Sequence, residues 1–326
     1  MIYIGDIAVP KGIIPHIENL PDTFQNQLII ANLEEPIAGD KDVSLMENKV
    51  FSNHNVLGAL KSLKVQGVSL ANNHMMDVPV ALNKTIDTLD KNNIRHTGAG
   101  INLRQARTPM ILNEDGQEYV FLDFGWDIIS CVYAGKVSPG VNPLESNNIF
   151  KSIEKVKENL PEAKIVTLMH WDYELEKFPM PAHRRLAKEM IDRGVDFVIG
   201  HHPHCVQGIE IYKDCPIIYS LGNWFVPDGV FMGGRTVFPD YCKDEMAVEF
   251  KAEKMIIHQF MYSPDGNCIK FVESMEYENS SWIKEKTPFA GLTDEEYGKW
   301  FREHRVKKKL LPVFNDTTNT IETRYC

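Results

Sequence analysis

The chain has 326 residues, 43% of them hydrophobic and 25% charged, with a formal net charge of −10. That composition is ordinary for a soluble globular protein, and an acidic balance without a concentrated basic face argues against nucleic-acid wrapping, for want of charge to neutralise phosphates. No run approaches the ~18 consecutive apolar residues of a membrane span, and the six scattered cysteines show no CxxC or zinc-finger spacing.

The first residues, Met1-Ile2-Tyr3-Ile4-Gly5-Asp6, read as a strand with none of the regions of a signal peptide, so the expected compartment is the cytoplasm. Short apolar, β-branched runs recur at 28–31, 65–70, 119–124, 165–169, 195–199 and 217–221, each short enough for a buried strand. Amphipathic stretches alternate with them. Leu82, Ile86 and Leu89 fall at i, i+4, i+7 within 80–92, Ile149, Ile153, Val156 and Leu160 do so within 148–160, and 181–193 ends at Gly194, a plausible C-terminal glycine. Such alternation predicts an α/β sandwich containing parallel strands.

Beyond about residue 245 the pattern becomes strand after strand, 246–252, 255–262 and 268–277, with a Pro264-Asp265-Gly266 turn before the last. Thr293-Asp294-Glu295-Glu296 reads as a capping box opening a final helix. The division expected is therefore a domain over 1–245 and a β-rich extension over 246–326, packed on the core. A basic cluster of Arg305, Lys307, Lys308 and Lys309 near the end of that helix suits the helix dipole.

Polar residues gather at the carboxyl ends of the strands. Asp6 follows the first; Asn32 and Glu34 the second; Asn72, Asn73, His74 and Asp77 the third; His170 another; and His201, His202 and His204, in Gly200-His201-His202-Pro203-His204, the strand ending at Ile199. Ligands of open α/β sheets bind outside that edge. Carboxylate, amide oxygen and imidazole together suit Mn²⁺, Fe²⁺ or Zn²⁺ better than Mg²⁺ or Ca²⁺. A bridging carboxylate would allow two ions about 3.5–4 Å apart.

In order, Gly5-Asp6, Ala31-Asn32-Leu33-Glu34, Ser69-Leu70-Ala71-Asn72-Asn73-His74 with Asp77, Gly98-Ala99-Gly100, His170-Trp171, the 200–204 run with Gln207 and Gly208, and Tyr219-Ser220-Leu221-Gly222-Asn223 resemble the motif series of CapA-type proteins. These are named for poly-γ-glutamate capsule biosynthesis and belong to the calcineurin-like metallophosphoesterase superfamily. The resemblance covers roughly residues 1–226. It implies a four-layer α/β/β/α sandwich with a site at the sheet edge and one or two divalent transition metals, Mn, Zn or Fe. It further implies Asp6, Glu34, Asn73, His170 and the 201–204 histidines as ligands. His202 and His204 fit a His-x-His pair best, although His201 leaves a second choice. His74 stands where the family's proton donor would be, and Asn73, Asp77 and Glu174 complete the candidate catalytic set.

The sequence departs from that pattern at two places. The usual Asp-x-His of the first motif reads Asp6-Ile7-Ala8, which removes one ligand, and Asp172 replaces the glycine after His170-Trp171, where it would orient an imidazole, add a ligand, repel an anion or stand as a solvated loop charge. The implied activity is hydrolysis of a phosphate ester or a peptide or polyglutamate amide, with a small-molecule, peptide or polymer substrate. Metal-independent isomerisation or epimerisation of a peptide, and a non-catalytic role within a polymer-synthesis assembly, are the alternatives. The segment 125–148 is long enough for a lid, and Gly233-Gly234-Arg235 offers a guanidinium on a turn. Trp126, Trp171, Trp224 and Cys205 are expected in the core.

Overall fold

In the computed structural model, which describes residues 1–39, 51–127, 131–231, 236–251, 254–306, 313–315 and 320–322, the strand Ile2–Ile7 sends Ile2 and Ile4 into one core and Tyr3 into another. Successive side chains of a strand face opposite sides, so this alternation places the strand between two apolar layers.

One mixed sheet runs in the order His16–Glu18, Cys268–Glu276, Lys254–Ser263, Asp244–Lys251, Ile2–Ile7, Ile29–Leu33, Val65–Ser69 and Arg95–Thr97, with Asn223–Phe225 also paired to Ile2–Ile7. The second runs Ile209–Tyr212, Cys215–Ile218, Phe197–His201, Lys164–His170, Gln117–Gly125 and Met110–Glu114. Between them, Tyr3, Ile30 and Val248 of the first meet Phe121, Val166 and Ile199 of the second. The helices Asn55–Ser62 and Ala81–Lys91 cover the outer face of the first sheet through Val56, Leu60, Leu82 and Ile86. The helices Ser146–Asn159, Pro181–Asp192 and Asp294–His304 cover the second through Ile149, Ile153, Leu186, Met190 and Phe301. The layers are therefore α/β/β/α, as expected.

Local signals account for the helix ends. Pro181 opens its helix, where a missing N–H costs nothing, and Gly194 follows that helix at φ +101. Thr293 and Glu296 form the capping box at the start of Asp294–His304.

The C-terminal strands extend the first sheet itself: Asp244–Lys251 pairs antiparallel with Ile2–Ile7, Ile2 opposite Glu249. The boundary expected between residues 245 and 246 falls inside that strand. The run 217–221 is not one strand. Cys215–Ile218 ends in the second sheet, the chain crosses at Gly222 (φ +74), and Asn223–Phe225 joins the first sheet with Asn223 opposite Asp6. Backbone approach at the crossing is close, because a Cβ on Gly5 would lie 2.0 Å from the Gly222 carbonyl oxygen.

Within the described part of 125–148, backbone hydrogen bonds from Asn142 N–H to Gly98 O and from Gly125 N–H to Asn142 O tie the segment to the core. Gly233-Gly234-Arg235 and Lys307–Lys309 lie outside the described residues. Among the described residues no helix is long and apolar enough to cross a membrane.

Candidate metal centre

Five strands of the two sheets end at one place. Asp6, Asn32 and Glu34 come from the first sheet with the 70–77 loop, and His170 and His201 are the last residues of adjacent parallel strands of the second, paired directly with one another. All of Asp6, Glu34, Asn73, His170, His201, His202 and His204 are buried. Burying so many polar groups is costly unless each has a partner.

Asn32 organises the acidic side. Its Nδ2 donates to Asp6 Oδ1 at 2.9 Å and to Glu34 Oε2 at 2.5 Å, while its Oδ1 accepts from Asn72 Nδ2. Asn72 also donates to the Leu33 carbonyl and accepts from Met75 N–H, which fixes the loop carrying Asn73 and His74. Asn73 Oδ1 lies 2.8 Å from His170 Nε2, and Glu34 Oε1 lies 3.6 Å from the same nitrogen. Two imidazoles stand against Asp6: His201 Nδ1 is 3.3 Å from Oδ1, and His204 Nδ1 is 3.5 Å from Oδ2 and 2.8 Å from Asn223 Oδ1. His202 donates its backbone N–H to Asp6 Oδ2, and its ring centroid is 4.6 Å from that of His170. His202 and His204 hold left-handed backbone at φ +96 and +56, a strained arrangement for residues with a Cβ that is concentrated at functional sites.

Several buried atoms have no hydrogen-bond partner: Glu34 Oε1, His170 Nδ1, His201 Nδ1 and both ring nitrogens of His202. Leaving such atoms unpaired costs about 1–3 kcal/mol each. Nearest ligand atoms fall into two groups, Asp6 with Glu34 and His170, and Glu34 with His202 and His204, each within 4.8 Å.

The charges follow from burial and neighbours. Burial opposes ionisation of Asp6, yet the nearby His201 and His204 rings and the amide of Asn32 outweigh it and hold the carboxyl below its usual range. Burial, then Asp6 and Glu35, push Glu34 well above it. Burial, then the other imidazoles, press His170 well below the ordinary histidine value, and burial brings His202 to about 4. Both rings are neutral at pH 7 and keep a lone pair free to donate to a metal.

His74, at the partly exposed edge, is held by Asp77: Nδ1 to Oδ2 is 2.9 Å. Glu174 stands close enough to Glu34 and His202 to influence both. Asp172 turns away from the centre. Its Oδ1 accepts from His183 Nδ1 at 2.6 Å and from Met180 N–H, so this buried carboxylate orients an imidazole, in a core pair stacked on Trp171, and is no solvated loop charge. Ala8, where the first motif lacks its histidine, sits in an apolar cluster with Cys205, Val226, Phe231, Phe238 and Cys242. Trp126, Trp171, Trp224 and Cys205 are buried as expected.

Sequence reasoning passed over Asp123. This buried carboxylate accepts from Ser69 Oγ, Leu70 N–H and Ala71 N–H, bracing the start of the loop that delivers Asn73. Burial raises it to about 7 despite those bonds. The available signal was an acid inside the apolar run Tyr119-Val120-Phe121-Leu122-Asp123-Phe124 with no basic residue beside it.

Comparison with known proteins places this arrangement. The family model of the bacterial capsule synthesis protein PGA_cap matches residues 12–228. The capsule biosynthesis protein CapA of Bacillus anthracis is 28% identical over 231 residues, covering 69% of this chain and 55% of that protein. The PGA biosynthesis protein CapA of Bacillus subtilis (strain 168) is 29% identical over 234 residues, covering 70% and 60%. The chain thus spans less than two thirds of the length of these curated relatives. Among solved structures, the Haemophilus influenzae NAD nucleotidase (NadN) aligns with a TM-score of 0.40 at 13% identity, over 86% of this chain and 58% of that one. With the model covering most of the chain and every motif of the buried cluster except the first within its span, the protein belongs to the bacterial capsule synthesis PGA_cap family.

Proposed function

We propose that this protein is a metal-dependent hydrolase acting on a phosphate ester or on a peptide or polyglutamate amide. The observation that carries the reading is Glu34, a buried carboxylate common to two potential ligand groups, one with Asp6 and His170 and the other with His202 and His204. A shared carboxylate is what two ions about 3.5–4 Å apart require. The unpartnered Glu34 Oε1 and a ring nitrogen of His202 fit that role, since each would gain the partner it lacks, while His170 presents Nε2 toward Asn73 and Glu34. Asp6, Glu34, Asn73 and His170 would hold one ion and Glu34, His202 and His204 the other, with His201 against Asp6. This oxygen and nitrogen set suits Mn, Zn or Fe.

When bound, such ions supply an acidified water as nucleophile and positive charge for the developing oxyanion. The chain's own residues do the rest. Asp77 holds Nδ1 of His74 and so orients the ring, leaving Nε2 as the proton donor to the departing oxygen or nitrogen. Asn32 and Asn72 fix the carboxylates and the loop, so that little reorganisation accompanies reaction. Glu174 adds negative charge near Glu34 and His202, increasing the demand for a cation. The relatives' names, capsule and PGA biosynthesis, support a polymer or an acidic peptide as substrate.

The test is metal analysis of protein purified without chelators, with turnover of p-nitrophenyl phosphate and γ-glutamyl-p-nitroanilide. The unaltered chain should hold more tightly bound transition metal than Glu34→Gln, which should lose the activity too. Equal metal content in the two, with no activation by Mn²⁺, overturns the reading, and turnover of a peptide in metal-free protein would favour isomerisation or epimerisation.

A further inference from the structure

At the far edge of the first sheet, the strand His16–Glu18 lies parallel to Cys268–Glu276, with His16 directly opposite Cys268 and Glu18 opposite Lys270. Residues opposite one another in a parallel pair, and residues two apart on one strand, share a face. His16, Glu18 and Cys268 therefore project to the same side. A ring nitrogen, a carboxylate oxygen and the thiol sulfur lie within 4.8 Å of one another, with His16 Nε2 3.8 Å from Glu18 Oε1. The Cys268 sulfur thus faces the other two groups from the buried side of the cluster.

We propose that His16, Glu18 and Cys268 form a zinc site, separate from the buried centre and independent of the hydrolase reading. A thiolate, an imidazole and a carboxylate are zinc donors, and a thiolate disfavours Mg²⁺ and Ca²⁺. Tetrahedral zinc with bonds of about 2.0–2.1 Å to nitrogen and oxygen sets those donors roughly 3.3–3.4 Å apart, so the 3.8 Å spacing of His16 and Glu18 needs to close by about half an ångström. The remaining closure falls to exposed side chains, His16 at 65% and Glu18 at 42%, while Cys268 is anchored at 4% exposure. The exposed side leaves the fourth position to water. Occupied, the site staples a three-residue edge strand from the start of the sequence to the C-terminal strands, and binding energy becomes folding energy.

Cobalt titration of the full chain, stripped of metal, tests this. No group of the buried centre is a cysteine, so a thiolate-to-cobalt charge-transfer band in the near ultraviolet reports the edge site alone. We expect that band in the unaltered protein and in His170→Ala, and its loss in Cys268→Ser together with one equivalent of bound metal. His16→Ala should weaken cobalt and zinc binding at this site at least tenfold. A chain that shows no such band at saturating cobalt, or a band that survives Cys268→Ser, overturns the site. Should Cys268→Ser fail to fold, the exposed His16→Ala decides, and unchanged affinity there overturns it equally.

Discussion

His170 Nε2 lies 2.8 Å from Asn73 Oδ1, joining the last residue of a second-sheet strand to the loop that follows a first-sheet strand. The candidate centre is thus built across the two sheets, and neither sheet holds a complete set of groups.

Asn73→Ala removes that bridge and leaves His170 Nε2 with Glu34 alone at 3.6 Å. On the proposed function, metal retention should weaken by at least the roughly 10–100-fold typical of a lost site-orienting partner, since Asn73 is itself among the groups that would hold an ion. Competition against a chromophoric chelator measures this. Thermal unfolding of the metal-free chain should move by no more than a few degrees, because no apolar packing is lost.

His74→Ala and Asp77→Asn act on proton donation. Turnover should fall about 10²–10⁴-fold in the first and less in the second, with metal content unchanged. Substrates with good leaving groups should suffer least. Equal losses across a leaving-group series would remove His74 from the acid role.

Asp123 predicts a pH dependence. Its folded-state value of about 7 lies above the ordinary carboxylate range, so between about pH 4 and 7 the folded chain keeps a proton that the unfolded chain releases. Stability contributed by this group is full below about pH 4, declines as pH rises to about 7 and is level beyond, by up to ~4 kcal/mol in all. Urea unfolding should show a shallower decline in Asp123→Asn over that window. Asp123→Ala, which strands Leu70 and Ala71 N–H groups, should be less stable at every pH by about 1–3 kcal/mol or more.

Arg184 ties the last helix to the second sheet. It makes a bidentate pair with Glu210 at 2.6 and 2.7 Å and also reaches Asp294 and the Leu292 carbonyl. Arg184→Met leaves Glu210 buried beside Tyr219 without its cation. A loss of roughly 3–5 kcal/mol in urea unfolding is expected, with metal content unaffected.

The layers and the strand-end placement of the polar groups were legible because period-2 and period-3.6 apolar patterns in this chain are long and well punctuated. Ile2 and Ile4 against Tyr3, or Leu82, Ile86 and Leu89, state which way each element faces. What escaped depends on partners far away in sequence. Asp172 reads as a charge beside a motif, and only the fold shows His183 in front of it. Asp123 reads as a strand residue, and only the fold brings Ser69 to Ala71 onto it. The break within 217–221 was hidden because buried strands of either sheet have the same apolar character. Pairing of Asn223 with Asp6 is a property of the crossing, not of the local sequence.

That crossing has a consequence for how the protein can vary. Where Gly222 passes Gly5, the Gly222 carbonyl fills the space a methyl on Gly5 would need and accepts from Asp6 N–H at 3.1 Å. The position of Asp6 is therefore set by main chain meeting main chain, like a mechanical stop, and not by the fit of neighbouring side chains. A substitution in the layer between the sheets that the core can accommodate should therefore leave the seat of Asp6 in register. A side chain at either glycine would instead move the stop itself.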